Sequence, residues 1–459
     1  MDTLTEAASL SYDELDTPRL PLYINGEELT ESVLYRYLRA GVPVVATDLR
    51  SRFTGKWTPD GFRETHGSQK CVVVDCVEPQ EQRTTTVEHF FSNYGLSERT
   101  GALATGSGIW KLKDWPPQAD FQVVFPELYS DYLQAALLPA FTNPNGVYNL
   151  AAHIPHNALK PDLGPKMYNA FASVRDHIYQ ASTSMHLDIC EAVNYLLFSS
   201  SGDTGGAEWI IIHRDDTPQL IEYLRKTKHL DESSNPIHCQ QYFLTPEEAR
   251  DIEKQGMRVF IIRQSPGHAV FIPAGCVHQV RELSTLVNSV TNLPVKVSNT
   301  ADAIKVAGDF LTSASLSTCR DIAAQLRHCR LNSTDRWPDD VLQIDTILYY
   351  AYRSLNLFEH DPIMVGTAGS IFASTDDKET TEVNTVGASG LVRSSEVQKQ
   401  HRDGKARRKS AKNRERKLRK KVAYSAKHHQ HLCPLNPREY DSRCIYDRKY
   451  RVSGLLDHL

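Results

Sequence analysis

The chain carries His186-Leu187-Asp188 and, further along, Phe271-Ile272-Pro273-Ala274-Gly275-Cys276-Val277-His278. Two imidazoles and one carboxylate on one side of a metal leave the opposite side open, which is the ligand set of the non-haem Fe(II) oxygenases. The open positions accept a bidentate 2-oxo acid and then O₂; a closed four-ligand zinc site accepts neither. His186 precedes an apolar run (Ala192, Val193, Tyr195, Leu196, Leu197, Phe198) that reads as a buried strand. Residues two apart on a strand point the same way, so His186 and Asp188 are expected on one face. His278 follows a second strand, Ala269–Ile272, and a Pro-Ala-Gly turn. Two short strands meet across a barrel whatever their separation in sequence. The competing reading makes both histidines satisfied core residues.

His-x-Asp alone is a weak signal. With 18 histidines in the chain, about one match is expected by chance. Four occur: His186/Asp188, His213/Asp215, His229/Asp231 and His401/Asp403. The last two lie in polar or basic surroundings and read as solvated. His213-Arg214-Asp215 imitates a kinase catalytic loop, but no glycine-rich phosphate loop or Asp-Phe-Gly accompanies it.

The chain has 459 residues and a hydrophobic content of 40%, enough for one large domain with appendages. The acidic N-terminus lacks the apolar core of a secretory signal, and no apolar run reaches membrane-spanning length. Nine cysteines occur without a Cys-x-x-Cys pair and read as reduced thiols of an intracellular protein. Residues 401–459 hold 18 Lys and Arg against 6 Asp and Glu, a net +12, which leaves −16 on the remainder of a chain whose total is −4. Such asymmetry points to a nucleic-acid contact or a nuclear address. The run 405–421 (KARRKSAKNRERKLRKK) carries eleven basic side chains and one acid. It reads as a nuclear-import signal or as a helix on DNA or chromatin; without aromatics it does not suit base stacking.

Residues 1–18 read as a disordered N-terminus, 19–357 as one folded domain with an N-terminal mixed α/β extension, 358–400 as a linker and 401–459 as a disordered basic tail. Strands are expected at Leu22–Ile24, Val42–Val45 and Val72–Val74. Lys111–Pro117 reads as a break in regular structure. Helices are expected over Ser32–Arg39, Pro126–Leu138, Pro218–Lys228, Thr245–Gln255, Ser315–Arg330 and Asp339–Leu355. Leu128, Tyr132 and Ala135 share one buried face of the second of these. Thr245-Pro246-Glu247-Glu248 is a strong helix start: an N-cap, Pro at the first position, then acids against the dipole.

Longer motifs add a resemblance. Trp110-Lys111-Leu112-Lys113-Asp114-Trp115-Pro116-Pro117 and Lys160-Pro161-Asp162-Leu163-Gly164-Pro165-Lys166-Met167-Tyr168-Asn169-Ala170 closely resemble the JmjC-domain histone demethylases, in the hairless-type branch that acts on mono- and dimethylated lysine nine of histone H3. The likeness continues through His186–Asp188, Ala192–Asn194, Pro236–His238, Val270–Gly275, His278–Val280 and Ile304–Phe310, and spans roughly residues 35–357. It implies a mainly β fold with peripheral helices, a double-stranded β-helix of the jelly-roll or cupin type. It implies Fe(II) on His186, Asp188 and His278, with 2-oxoglutarate and O₂ as co-substrates. Thr183 matches a hydroxyl that reaches the 2-oxoglutarate carboxylate, Asn194 a pocket asparagine on the strand of the first two ligands, and Lys305 the cation for the distal carboxylate. Tyr168 either lines the methyl-lysine pocket or packs in the core. The partners implied are the histone H3 tail and the nucleosome, in the nucleus, with no membrane.

Two features depart from that pattern. No cysteine-rich zinc module precedes the domain, and Ser284–Ala303 inserts roughly seventeen extra residues before the strand of Lys305, as a surface loop or as an unremoved intron. These departures keep a catalytically impaired chromatin scaffold open beside the demethylase. A protein hydroxylase on the same barrel is a further reading, because fold does not fix substrate.

Overall fold

A computed structural model describes residues 18–360, apart from residues 79, 97, 107–108, 118, 156, 159, 173–182, 232–234, 284–300 and 333–341. All of them lie in the first of two units of the chain, Met1–Val365. The expected tail run 405–421 and His401/Asp403 lie outside the described residues. The strands are β1 Leu22–Asn25, β2 Val44–Thr47, β3 Lys70–Asp75, β4 Gln82–Thr86, β5 Trp110–Trp115, β6 Lys166–Ala170, β7 Thr183–His186, β8 Glu191–Ser199, β9 Gly206–Ile212, β10 Val259–Gln264, β11 His268–Ile272, β12 Val277–Leu283 and β13 Ala303–Phe310. They form a nine-stranded sheet in the order β1-β2-β11-β8-β13-β6-β5-β3-β4 and a four-stranded sheet in the order β10-β9-β12-β7.

The two sheets face each other across an apolar layer. Ala192, Val270 and Ile272 of the larger sheet pack against Ala207, Trp209, Ile211, Phe260, Ile262 and Val280 of the smaller. This is the jelly-roll arrangement, with the interior lined by alternate residues of each strand. The outer face of the larger sheet carries Met167, Val193, Tyr195, Phe271, Ile304, Val306 and Phe310. These are packed under an aromatic cluster that includes Phe62, Phe90, Phe91, Trp110 and Trp115. The smaller sheet is covered by two helices, Thr217–Thr227 and Pro246–Lys254, through Leu220, Leu224, Ala249 and Ile252. Each fully buried side chain of this size contributes roughly 1.5–3 kcal/mol over the exposed state.

Local signals place the helices close to their expected spans. Thr30 caps the helix Glu31–Arg39 by accepting from the Val33 amide. Thr245 and Glu248 form a reciprocal capping box that starts Pro246–Lys254. The helix from Pro126 ends at Ala135 rather than Leu138: Ala136 leaves helical backbone at ψ 133°, and Leu138, ahead of Pro139, lies at φ 50°. Its Tyr132 and Ala135 are buried and Leu128 packs on the core, as their spacing predicts. The last described helix, Ile344–His360, runs past the expected linker start at 358. No described helix is long and apolar enough to cross a membrane.

Lys111–Pro117 differs from expectation: Trp110–Trp115 is strand β5, inserted between β3 and β6. Trp110 and Leu112 alternate inward and are buried, which outweighs the turn-forming Pro-Pro that follows. A register shift between Leu112 and Trp115 takes up Asp114, whose φ of 52° lies in the left-handed region.

The chain around the Ser284–Ala303 insertion keeps its place. Strand β13 pairs antiparallel with β6 and with β8, so Lys305 lies opposite Tyr168 and Leu196. Just before it, the buried Asp302 accepts hydrogen bonds from Arg99, from the Gly95 amide at 2.7 Å and from the Ala172 amide at 2.9 Å.

Candidate metal centre and the adjoining cavity

His186 ends β7, Asp188 lies in the turn that follows, and His278 stands on β12 directly opposite His186. Directly opposed residues of an antiparallel pair share a face, so both rings project into the barrel. The ring centroids are 4.2 Å apart. Asp188 oxygens lie 3.9 Å from His186 Nε2 and 3.6 Å from His278 Nε2. One ligand atom from each of the three residues lies within 4.8 Å of the others, close enough to hold one metal ion.

The expectation that His186 and Asp188 alternate on one strand needs correction. The strand stops at His186, and the chain turns through Asp188 before β8 begins at Glu191. Asp188 therefore reaches the metal position from the connection between β7 and β8. Asn194 correspondingly lies on β8 in the opposing sheet, not on the strand of His186.

The surroundings orient the ligand atoms. His186 Nδ1 is 2.8 Å from the Ser184 carbonyl and His278 Nδ1 is 3.0 Å from the Cys276 carbonyl. A carbonyl accepts only from N–H, which puts each proton on Nδ1 and each lone pair on Nε2, facing Asp188. The turn before His278 is held by Gly275, whose φ of 76° suits glycine. Its amide donates to the Asp188 carbonyl at 3.0 Å, joining the two ligand segments.

The co-substrate candidates sit where the strand registers put them. Val280 pairs with Thr183 while His278 pairs with His186, so β7 holds one extra residue in a bulge. The bulge brings Thr183 to the face of His186, although they stand three positions apart. On the opposite sheet Asn194 pairs with Val270 and with Ala307. Asn194, Lys305, Ala307, Asp309 and Tyr168 therefore share the inner face. Lys305 is buried, and so is Asn194, whose Oδ1 has no hydrogen-bond partner among the described residues. An orphaned amide oxygen inside the barrel fits a site built for a polar ligand, since buried polar groups are otherwise satisfied. The donor set of two neutral imidazoles and a carboxylate fits Fe(II).

Beside the centre lies a cavity of about 430 Å³ lined by Asp114, Asp162, Lys166, Tyr168, Ala307 and Asp309 among others. The Tyr168 hydroxyl donates to Asp114; burial, then the charges of Asp114, Asp309 and Asp188, raise its pKa well above the phenolic range. Burial, followed by Asp188, Asp162 and Asp114, pushes the Asp309 carboxyl well above the usual carboxylate range. Both residues keep some exposure, and both line the cavity. The three aspartates stand in motifs visible in the sequence but carry no role in its reading. Asp309 was accessible by alternation alone, being four residues from Lys305 on one strand.

Neither of the other His-x-Asp pairs among the described residues joins a metal-binding group, and His229 and Asp231 are exposed, as their polar surroundings predict. His213 is buried, with Nε2 2.8 Å from the Ala40 carbonyl and Nδ1 accepting from the Asp215 amide at 3.2 Å. Asp215 and Asp216 hold Arg258. His229 sits at a helix end with φ 53° and joins no metal group.

The fold and site together define a class: a jelly-roll barrel with a two-histidine, one-carboxylate candidate metal centre on its inner face. Residues 179–293 match the family described as "JmjC domain, hydroxylase". Among curated proteins the chain is 28% identical over 358 residues to "Lysine-specific demethylase 3A" of Gallus gallus, covering 69% of this chain and 25% of that protein. It is 28% identical over 356 residues to "Lysine-specific demethylase 3" of Drosophila melanogaster, covering 69% and 39%. It is also 28% identical over 340 residues to "Lysine-specific demethylase JMJ26" of Arabidopsis thaliana, covering 61% and 36%. The chain thus spans only a quarter to two fifths of the length of these relatives.

Proposed function

We propose that the protein is an Fe(II)- and 2-oxoglutarate-dependent histone lysine demethylase that removes mono- and dimethyl marks from lysine nine of histone H3. The observation that carries this reading is the His186/Asp188/His278 set projecting into a barrel beside an acidic, tyrosine-walled cavity. Fe(II) with 2-oxoglutarate and O₂ supplies oxidation of the N-methyl carbon, and the resulting hydroxymethyl amine releases formaldehyde. His186, Asp188 and His278 hold the iron. Lys305 pairs with the distal carboxylate of 2-oxoglutarate, while the Thr183 hydroxyl and the Asn194 amide orient the dianion. Tyr168 lines the substrate side. The apolar layer around Trp209 and Val280 keeps bulk water from the reacting groups.

A charge of −16 outside the basic tail suits a basic histone tail. The run 405–421 serves as a nuclear address or a contact to DNA. A protein hydroxylase would use the same iron chemistry, and the matched family's description names that activity. The acidic cavity favours a cationic side chain and hence demethylation. The register that keeps Lys305 on the inner face supports an active site over an inert scaffold.

The test is mass spectrometry of H3 tail peptides dimethylated at lysine nine or elsewhere, incubated with the protein, Fe(II), 2-oxoglutarate and ascorbate, with His186→Ala as control. Methyl loss from the lysine-nine peptide alone, absent in the variant, is expected. Succinate formation without methyl loss would redirect the activity to another substrate. Neither product, from folded protein, would leave the scaffold.

A further inference from the structure

The geometry points to Asp309 as the residue by which the acidic cavity ranks methylation states, taking a cation that still carries an N–H over one that has none. This inference rests on the demethylase reading above.

Two of the three cavity carboxylates already have partners. Asp114 accepts from Tyr168. Asp162 accepts from Lys166 Nζ at 3.0 Å and from the Gly164 amide at 3.3 Å. Asp309 uses its backbone amide, which donates to the Leu163 carbonyl at 2.8 Å. Its carboxyl has no hydrogen-bond or ion-pair partner among the described residues. A half-buried carboxyl is costly to leave charged unless something compensates it. The cavity that the group faces lets a compensating cation in.

The placement says which sign of charge enters. Lys305 and Asp309 stand on one face of β13, four residues apart, or about 13 Å along the strand. The barrel interior therefore has a cationic end and an acidic end. A 2-oxo dianion is drawn to Lys305 and repelled by the three aspartates. A cation is drawn to the aspartates that line the cavity. The cavity volume of about 430 Å³ lies within the range of small-ligand sites.

An N–H on the bound cation makes a charge-assisted hydrogen bond to Asp309. Mono- and dimethylammonium groups keep such a proton. A trimethylammonium group keeps its charge but has no donor, and leaves the carboxylate without its bond.

The experiment uses the full chain loaded with Mn(II) and 2-oxoglutarate, and labelled H3 tail peptides with mono-, di- or trimethylated lysine nine, read by fluorescence anisotropy. The wild type is expected to bind the dimethyl peptide about 10-fold more tightly than the trimethyl one. Asp309→Asn, of nearly unchanged shape, should shrink that ratio by weakening the dimethyl peptide more than the trimethyl one. Asp309→Ser is measured in parallel, and retained Mn(II) binding and melting temperature establish that each variant is folded. A folded variant that keeps the wild-type ratio overturns the role of Asp309. A wild type that removes methyl groups yet binds both peptides equally overturns it too, with the demethylase reading intact. A wild type that binds none of the peptides and removes no methyl group overturns both.

Discussion

Asp302→Ala should be the most damaging substitution outside the metal ligands. Both oxygens of Asp302 accept: Oδ1 from Arg99 Nη2 at 2.8 Å and from the Ala172 amide at 2.9 Å, Oδ2 from the Gly95 amide at 2.7 Å and Arg99 Nη1 at 3.2 Å. Four donors around two oxygens require an ionised acceptor. The side chains of Arg99 and Asp302 are 5% and 0% exposed, so water does not replace what is lost. Arg99 also stacks on Phe171, 4.0 Å from the ring centroid. Removing one partner of a buried pair costs about 3–5 kcal/mol, because the other charge stays buried. At about 2 °C per kcal/mol for a domain of this size, the melting temperature should fall by roughly 6–10 °C. The damage should reach function, since Asp302 fixes the start of β13 and Lys305 follows three residues later. Differential scanning fluorimetry reads the first effect, and the KM for 2-oxoglutarate in succinate formation reads the second. Arg99→Ala should cost a similar amount, and the double variant clearly less than the sum. An Asp302→Ala protein that melts within about 1 °C of wild type, the range of an ordinary surface change, would refute the reasoning.

Lys305→Ala should raise the KM for 2-oxoglutarate by about 10-fold or more, the worth of a hydrogen bond to a charged group, while leaving Mn(II) affinity unchanged by titration. His213 has its pKa lowered, first by burial, with Arg258 and Arg214 adding to the shift and the Ala40 carbonyl and Asp215 opposing it. Its contribution to stability is therefore present above the ordinary imidazole value of about 6.5 and is lost as pH falls below it. His213→Gln should flatten the fall in melting temperature between roughly pH 7 and pH 5. Thr245→Ala removes one half of the capping box and should cost about 1 kcal/mol in urea unfolding. Truncating residues 401–459 should weaken DNA binding and reduce its dependence on salt, measured by anisotropy at several ionic strengths.

Much of this was legible along the chain. The capping box at Thr245, the helix start at Pro126 and the buried run of β8 are local patterns, and local patterns survive folding. Strand β5 was missed because Pro116-Pro117 is a strong local signal for a break. The burial of Trp110 and Leu112, a tertiary term, outweighed it. Asp114 was absorbed by a register shift that no sequence pattern marks.

The sequence by itself determined the ligand types, two imidazoles and a carboxylate, and the spacing that puts Lys305 and Asp309 on one face of a strand. Donor chemistry and strand alternation are properties of residues and their spacing. Only the tertiary structure decided that Asp188 reaches the centre from a turn, that a bulge brings Thr183 to the face of His186, and that three aspartates from distant segments meet around one cavity. Pairing register and the joining of remote segments depend on which strands become neighbours, and that choice is made by packing over the whole barrel.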